Sequence, residues 1–67
     1  MIIDEKNLRM FREKAFLSQV DLAAKIKSNR SVISQYEMGG KAASFKRVRE
    51  LARVLKCRPE DLVRQEE

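Results

Sequence analysis

Residues that start helices recur at short intervals along this chain, and no other feature constrains its fold as strongly. Asp4, Ser18, Asn29 and Ser44 are all of residue types that cap helix N-termini, and apolar residues at helical spacing follow each of them. Aromatic residues make up only 6% of the chain, so Leu, Ile, Val and Ala must supply the core. The sequence therefore predicts short helices joined by brief linkers, and no strand.

The cap and apolar patterns predict five helices. They run from Asp4 to about Lys14 or Ala15, from Ser18 to Ile26, from Asn29 to Gly39 or Gly40, from Ser44 to Leu55 and from Pro59 to Val63. The inward-facing stripes include Leu8, Phe11 and Ala15 on the first helix, Ile33 and Tyr36 on the third, and Phe45, Val48, Leu51, Ala52 and Leu55 on the fourth. The tail Gln65-Glu66-Glu67 is predicted to fray. The expected fold is all-α, a single compact five-helix domain over residues 1–67.

The net charge and the residue types present restrict the classes of function that this chain can have. Fifteen Lys and Arg stand against ten Asp and Glu, and the net charge of +5 favours a polyanionic partner. The chain has no His, which removes imidazole catalysis and most zinc sites. Cys57 has no second sulfur ligand, and we expect it to be a small buried hydrophobe. We expect no enzyme activity, metal, cofactor or small-molecule ligand.

No apolar run approaches the roughly 20 residues of a membrane-spanning helix. The opening Met1-Ile2-Ile3 is followed at once by acidic residues, unlike a signal peptide. We therefore expect a cytoplasmic protein without a membrane partner.

The most informative stretch of the sequence runs from Leu17 to Gly39. Two short helices are predicted to meet there at a tight turn, which fixes their crossing geometry. The small Ala23 permits close approach of the second helix, and Ile33 and Tyr36 are predicted to fill the joint.

This stretch resembles the helix-turn-helix family of phage repressors and Cro proteins, the Cro/C1 or XRE type. The family pattern is Leu-Ser-Gln-x-x-Leu-Ala, a turn, and Ser/Arg-x-x-Ile-Ser-x-aromatic-Glu-x-Gly. The matching residues are Leu17, Ser18, Gln19, Leu22, Ala23, Ile33, Ser34, Tyr36, Glu37 and Gly39. The resemblance implies a lambda-repressor-like fold with the helix-turn-helix proper over about residues 18–38. It also implies a bacterial or phage transcription regulator that binds double-stranded DNA.

The resemblance further implies which residues form the site. The positions that contact base edges are Asn29, Arg30, Ser31, Ser34 and Gln35, with Val32 as an additional contact. The positions that contact phosphates are Ser18, Gln19 and Lys41. Arg12 and Glu37 match a pair of positions that form a structural ion pair.

Family members usually bind a palindromic operator as homodimers, so the resemblance also implies a homodimer. The candidate dimer surface consists of Leu55, Cys57, Leu62 and Val63. The alternative is that these side chains only close the core of the monomer.

Three residues depart from the family pattern. Lys27 replaces the Gly that ends the second helix, where a left-handed backbone would cost about 1 kcal/mol. Ser28 stands at a position that is usually apolar, which predicts a less well filled or reshaped joint. Arg58 is a poor N-cap for the last helix.

Two other classes of function compete with the DNA-binding one. The first is a protein-interaction adaptor or antirepressor that keeps the fold, whose third helix should then lack outward polar donors. The second is a small nuclease, which would need clustered carboxylates or His to hold a metal. The sequence shows polar donors on the third helix and no such metal cluster.

Overall fold

The computed structural model describes residues 1–65, so Glu66 and Glu67 of the tail predicted to fray lie outside the described residues. Within that range it contains four α-helices: α1 (Glu5–Lys14), α2 (Gln19–Lys25), α3 (Arg30–Met38) and α4 (Phe45–Leu55). All pack around one apolar core.

The prediction of a fifth α-helix is wrong. Residues Pro59–Leu62 form a single short 3₁₀-helix instead, with Pro59 at its start. The Arg58 side chain makes no capping hydrogen bond there, although the Arg58 N–H donates to Asp61 Oδ2 at 3.0 Å. A segment this short closes its hydrogen bonds with the tighter 3₁₀ geometry.

The four predicted N-caps are confirmed. The side-chain oxygens of Asp4, Ser18, Asn29 and Ser44 each accept a hydrogen bond from a backbone N–H in the first turn of the helix that follows. At α2 the Ser18 N–H also donates to Asp21 Oδ2 at 3.1 Å, which completes the predicted capping box. These local bonds fix where each helix begins.

Two apolar residues predicted to face inward are exposed. Ala15 lies just beyond the last residue of α1, outside the packed part of that helix. Phe45 is 56% exposed because it is the first residue of α4, and its ring lies 5.6 Å from the Arg49 guanidinium. The rest of the α4 stripe is buried: Val48, Leu51, Ala52 and Leu55.

The first residues of the chain form backbone pairings that the sequence did not predict. Ile2 forms a β-bridge with Ala42, and Ile3 forms one with Val63. The Ile3 N–H donates to the Lys41 carbonyl at 2.9 Å, and the Ile3 side chain is fully buried. The N-terminus thereby ties the loop after α3 to the C-terminal segment.

Three helices end on a left-handed residue that is not glycine: Phe16, Lys27 and Lys56 follow α1, α2 and α4 with φ of 57°, 56° and 56°. At each end two hydrogen bonds close the helix in a Schellman pattern, for example from Ser28 N–H to the Ala23 carbonyl at 2.8 Å. A left-handed non-glycine residue costs about 1–2 kcal/mol. The cost predicted for a left-handed Lys27 therefore applies, and it recurs at two further sites.

Glycine occurs only after α3. Gly39 has φ 105° and ψ 152°, a region essentially restricted to glycine, and Gly40 has φ 76°. The glycines therefore serve the end of α3 and none of the three Schellman ends.

Candidate nucleic-acid interface

The end of α3 is held by a buried carboxylate. The Glu37 side chain is 2% exposed, and its Oε2 accepts a hydrogen bond from Arg12 Nε at 2.6 Å. Its Oε1 accepts hydrogen bonds from Arg12 Nη2 at 3.1 Å and from Gln19 Nε2 at 3.2 Å. We call Glu37, Arg12 and Gln19 the Glu37 joint. The ion pair expected from the family resemblance is thus present, and an amide of α2 joins it.

The Glu37 joint connects three segments of the chain. Arg12 Nη1 also donates to the Leu17 carbonyl at 2.8 Å, which fixes the link between α1 and α2. Arg9 Nε lies 3.4 Å from Glu37 Oε1, at the exposed edge of the joint. Sequence reasoning missed Arg9, although it precedes Arg12 by three residues and so lies on the same face of α1.

Electrostatics favour the ionised form of Glu37. Burial raises the pKa of this carboxyl, but hydrogen bonds from Arg12 and Gln19, with the Arg12 charge, outweigh burial and lower the pKa below 4.5. The carboxylate is therefore charged at neutral pH, and its ion pair orients α3 relative to α1.

The turn between α2 and α3 packs closely. Ala23 is 1% exposed and Ile33 is fully buried, as the joint requires, while Tyr36 packs against the core from its edge. Ser28, the polar residue at a usually apolar position, is half-buried and binds the end of α2 through its N–H. This hydrogen bond is made by the backbone, so it does not depend on which side chain stands at position 28.

The outer edge of α3 is polar and mostly exposed. Arg30, Ser31 and Gln35 are exposed on the helix, while Val32 and Ser34 are half-buried. Asn29 is also exposed, but its Oδ1 accepts the capping hydrogen bond from the Val32 N–H at 3.2 Å. The Asn29 amide group keeps its N–H donors for a ligand. This edge offers hydrogen-bond donors of the kind that contact base edges.

The three candidate phosphate-binding residues differ in the hydrogen bonds that they already make. Ser18 is exposed, and its Oγ accepts a hydrogen bond from the Asp21 N–H at 3.0 Å. Gln19 uses one amide N–H for Glu37, and an amide has a second N–H to offer. Lys41 is exposed, and its backbone is held by the N-terminal residues through its carbonyl.

The candidate dimer residues are largely inside the monomer. Leu62 is fully buried, and Leu55 and Val63 are 6% and 9% exposed. A partner on this face would therefore meet their exposed neighbours first. Cys57 is half-buried against the core, and burial followed by the Asp61 charge raises its pKa, which opposes thiolate chemistry.

Among residues 1–65, none of the helices has the length and apolar character needed to cross a membrane. In the same part of the chain, no three acidic or Cys side chains come together in a way that would hold a metal ion.

A comparison with protein families agrees with the helix-turn-helix geometry of α2 and α3. A family model described as helix-turn-helix matches residues 8–62, which covers α2, the turn and α3 together with the surrounding helices. No curated protein and no solved structure matched the chain. The match spans well over half of the sequence. The chain therefore belongs to the Cro/C1-type helix-turn-helix family of DNA-binding regulators.

Proposed function

We propose that this protein is a transcriptional repressor that binds a palindromic operator as a homodimer, in the cytoplasm of a bacterium or in a cell infected by a phage. Promoter occlusion is the default mode of action, because the sequence offers no obvious activation region. The observation that carries the proposal is the exposed polar edge of α3, held in place at its far end by the Glu37 joint.

Base reading is assigned to the start of α3. Arg30 has the fork of donors that binds guanine, and Gln35 has the amide geometry that binds adenine. Asn29, Ser31 and Ser34 supply further donors on the same edge, and Val32 supplies methyl groups for a thymine. The exposure of Arg30 and Gln35 supports these assignments, because a duplex must reach both side chains.

Phosphate binding is assigned to Ser18, Gln19 and Lys41. The net charge of +5 supports an electrostatic contribution, which should weaken steeply with rising salt, because the counterions that the protein releases from DNA gain less entropy in more concentrated salt. A single module of this size buries little surface on DNA, so a dimer that reads two half-sites about 34 Å apart is proposed. The proposed dimer surface lies around Leu55, Cys57, Leu62 and Val63, as expected from the sequence.

The direct experiment is selection of bound sites from a library of random duplexes at low salt. The expected result is an enriched palindromic motif, whose half-site spacing also reports the dimer. A motif without symmetry would reject the dimer but keep specific binding. Failure to enrich any motif would reject the proposal.

The alternative function is a protein-interaction adaptor or antirepressor. Its third helix needs no polar donors on the outer edge, whereas Arg30 and Gln35 are exposed here. A gel shift with random duplexes at low salt separates the two functions, because the adaptor gives no shift at micromolar protein.

A further inference from the structure

A second surface feature lies where the C-terminal ends of α1, α2 and α4 meet. It is a groove with an apolar floor, formed by Phe11, Ala15, Leu17, Val54 and Leu55. None of the residues that line it comes from α3. The groove is therefore separate from the proposed DNA-reading edge.

The rim of this groove is positively charged. Lys14, Lys25 and Lys56 line it together with the apolar floor, and no acidic residue does. Lys14 Nζ lies 5.9 Å from the centre of the Phe11 ring. We call the apolar floor and these three lysines the basic groove.

The positive charge continues beyond the basic groove. A neighbouring depression shares Lys25 and Val54 with it and adds Lys27 and Arg53. Glu50 is the acidic residue on that side, and Arg47 Nε lies 3.5 Å from its Oε1. An anionic partner on the groove would therefore find cations on both sides.

Two of the three left-handed residues that are not glycine lie at the basic groove. Lys56 lines the groove in a left-handed conformation, and Phe16 is left-handed between the lining residues Ala15 and Leu17. Glycine adopts this conformation without strain. The Phe16 side chain is 94% exposed, so no packing contact inside the monomer offsets the strain. Phe16 thus places an exposed aromatic ring between two residues that line the groove.

We propose that the basic groove binds an acidic segment of a partner protein that carries aliphatic or aromatic side chains. Carboxylates of such a segment pair with Lys14, Lys25 and Lys56, and its apolar side chains fill the floor beside Phe16. Duplex DNA satisfies only the first condition, because its phosphate backbone offers no apolar side chain to an apolar floor. The combination of floor and rim therefore favours a protein segment over a second nucleic acid contact.

The test is selection of short random peptides displayed on phage against the whole immobilised chain. The expected result is a set of peptides that combine Asp or Glu with Leu, Ile, Phe or Trp. One such peptide, synthesised and added to isotope-labelled protein, should shift backbone amides of residues 11–17 and 54–56. A defined duplex should leave the amides of residues 54–56 unchanged.

Two pairs of variants separate docking from a role in folding. Phe16→Ala keeps the backbone strain and Phe16→Gly relieves it, and both should weaken the selected peptide at least about tenfold. Thermal unfolding should show no loss of stability in either.

Lys14→Glu should weaken binding of the peptide similarly, while Lys6→Glu on the same helix, outside the groove, should not. DNA binding should survive all four changes.

Several outcomes would overturn the proposal. These are no enriched peptide, enriched peptides without acidic or without apolar residues, or amide shifts that concentrate on α3. Sedimentation showing self-association that Phe16→Ala abolishes would assign the groove to a second copy of the chain instead. Amides of residues 54–56 that shift with duplex DNA would assign the groove to nucleic acid.

Discussion

The Glu37 joint contributes stabilising hydrogen bonds to the fold, whereas the basic groove includes residues in strained backbone conformations. At the joint, a buried carboxylate receives hydrogen bonds from Arg12 and Gln19 and ties α3 to two other helices. Around the groove, Phe16 and Lys56 hold left-handed positions that glycine would suit better. The joint thus stabilises the position of α3, whereas the groove keeps exposed side chains at a cost in stability.

The largest effect is expected at the joint. Glu37→Ala leaves the mostly buried Arg12 without its counter-ion, and this should lower the free energy of unfolding by about 3–5 kcal/mol. Urea unfolding measures this loss of free energy. Glu37→Gln is the milder partner variant, because it keeps the shape and loses only the charge. A loss of less than about 1 kcal/mol in Glu37→Ala would mean that the joint does not hold α3.

Acid should remove the stabilisation from the same carboxylate. The pKa of Glu37 in the fold is lower than 4.5, so its contribution is fully present above pH 4.5 and is lost as pH falls through the lowered value. Glu5 and Asp21 also have lowered pKa values, mainly through hydrogen bonds from Arg64 and from the Ser18 N–H, and add to the same trend. Unfolding free energies measured against pH should therefore fall in acid. An equally steep fall in Glu37→Gln would assign the trend to the other carboxylates.

The next largest effect is expected on DNA binding, where variants of base contacts and of phosphate contacts should differ. Arg30→Ala should cost about 1–3 kcal/mol of binding and relax specificity at one base position. Lys41→Ala should weaken all sequences alike and reduce the salt slope by about one. Both are measured by titrating duplexes that differ at single positions. Indistinguishable behaviour of the two variants would show that the division into base and phosphate contacts is wrong.

The smallest effects are expected at the left-handed helix ends. Phe16→Gly, Lys27→Gly and Lys56→Gly should each raise the free energy of unfolding by about 1 kcal/mol, because glycine relieves the strain. Ala24→Gly, an exposed position inside α2, is the matched control and should lower it by about 0.5–1 kcal/mol. Destabilisation in all four variants would contradict the strain at the three ends.

Helix starts were predictable from the sequence because capping is local. Ser18 and Asp21 lie three residues apart, so their reciprocal hydrogen bonds follow from the sequence spacing alone. The Arg12–Glu37 pair was expected only from the family resemblance, since no spacing rule connects residues so distant in the chain. Within the site, the hydrogen bond from Gln19 to Glu37 was not predicted, because it depends on how α2 crosses α3.

The features that the sequence did not reveal depend on tertiary packing. The pairing of Ile3 with Val63 joins distant segments, and the run of apolar residues at the N-terminus is too short to indicate a strand. Phe45 matches the apolar period of α4 and is nevertheless exposed, because periodicity carries no information on where the core ends. The basic groove likewise forms only when three helix ends meet.

The most direct test of the central proposal is a titration of isotope-labelled protein with the duplex recovered by site selection, monitored through backbone amides. We predict that the largest shifts fall at residues 18–19, 29–35 and 41, while the amides of residues 54–56 in the basic groove stay in place. Shifts confined to residues 11–17 and 54–56, with an unperturbed α3, would contradict the assignment of DNA reading to the outer edge of α3.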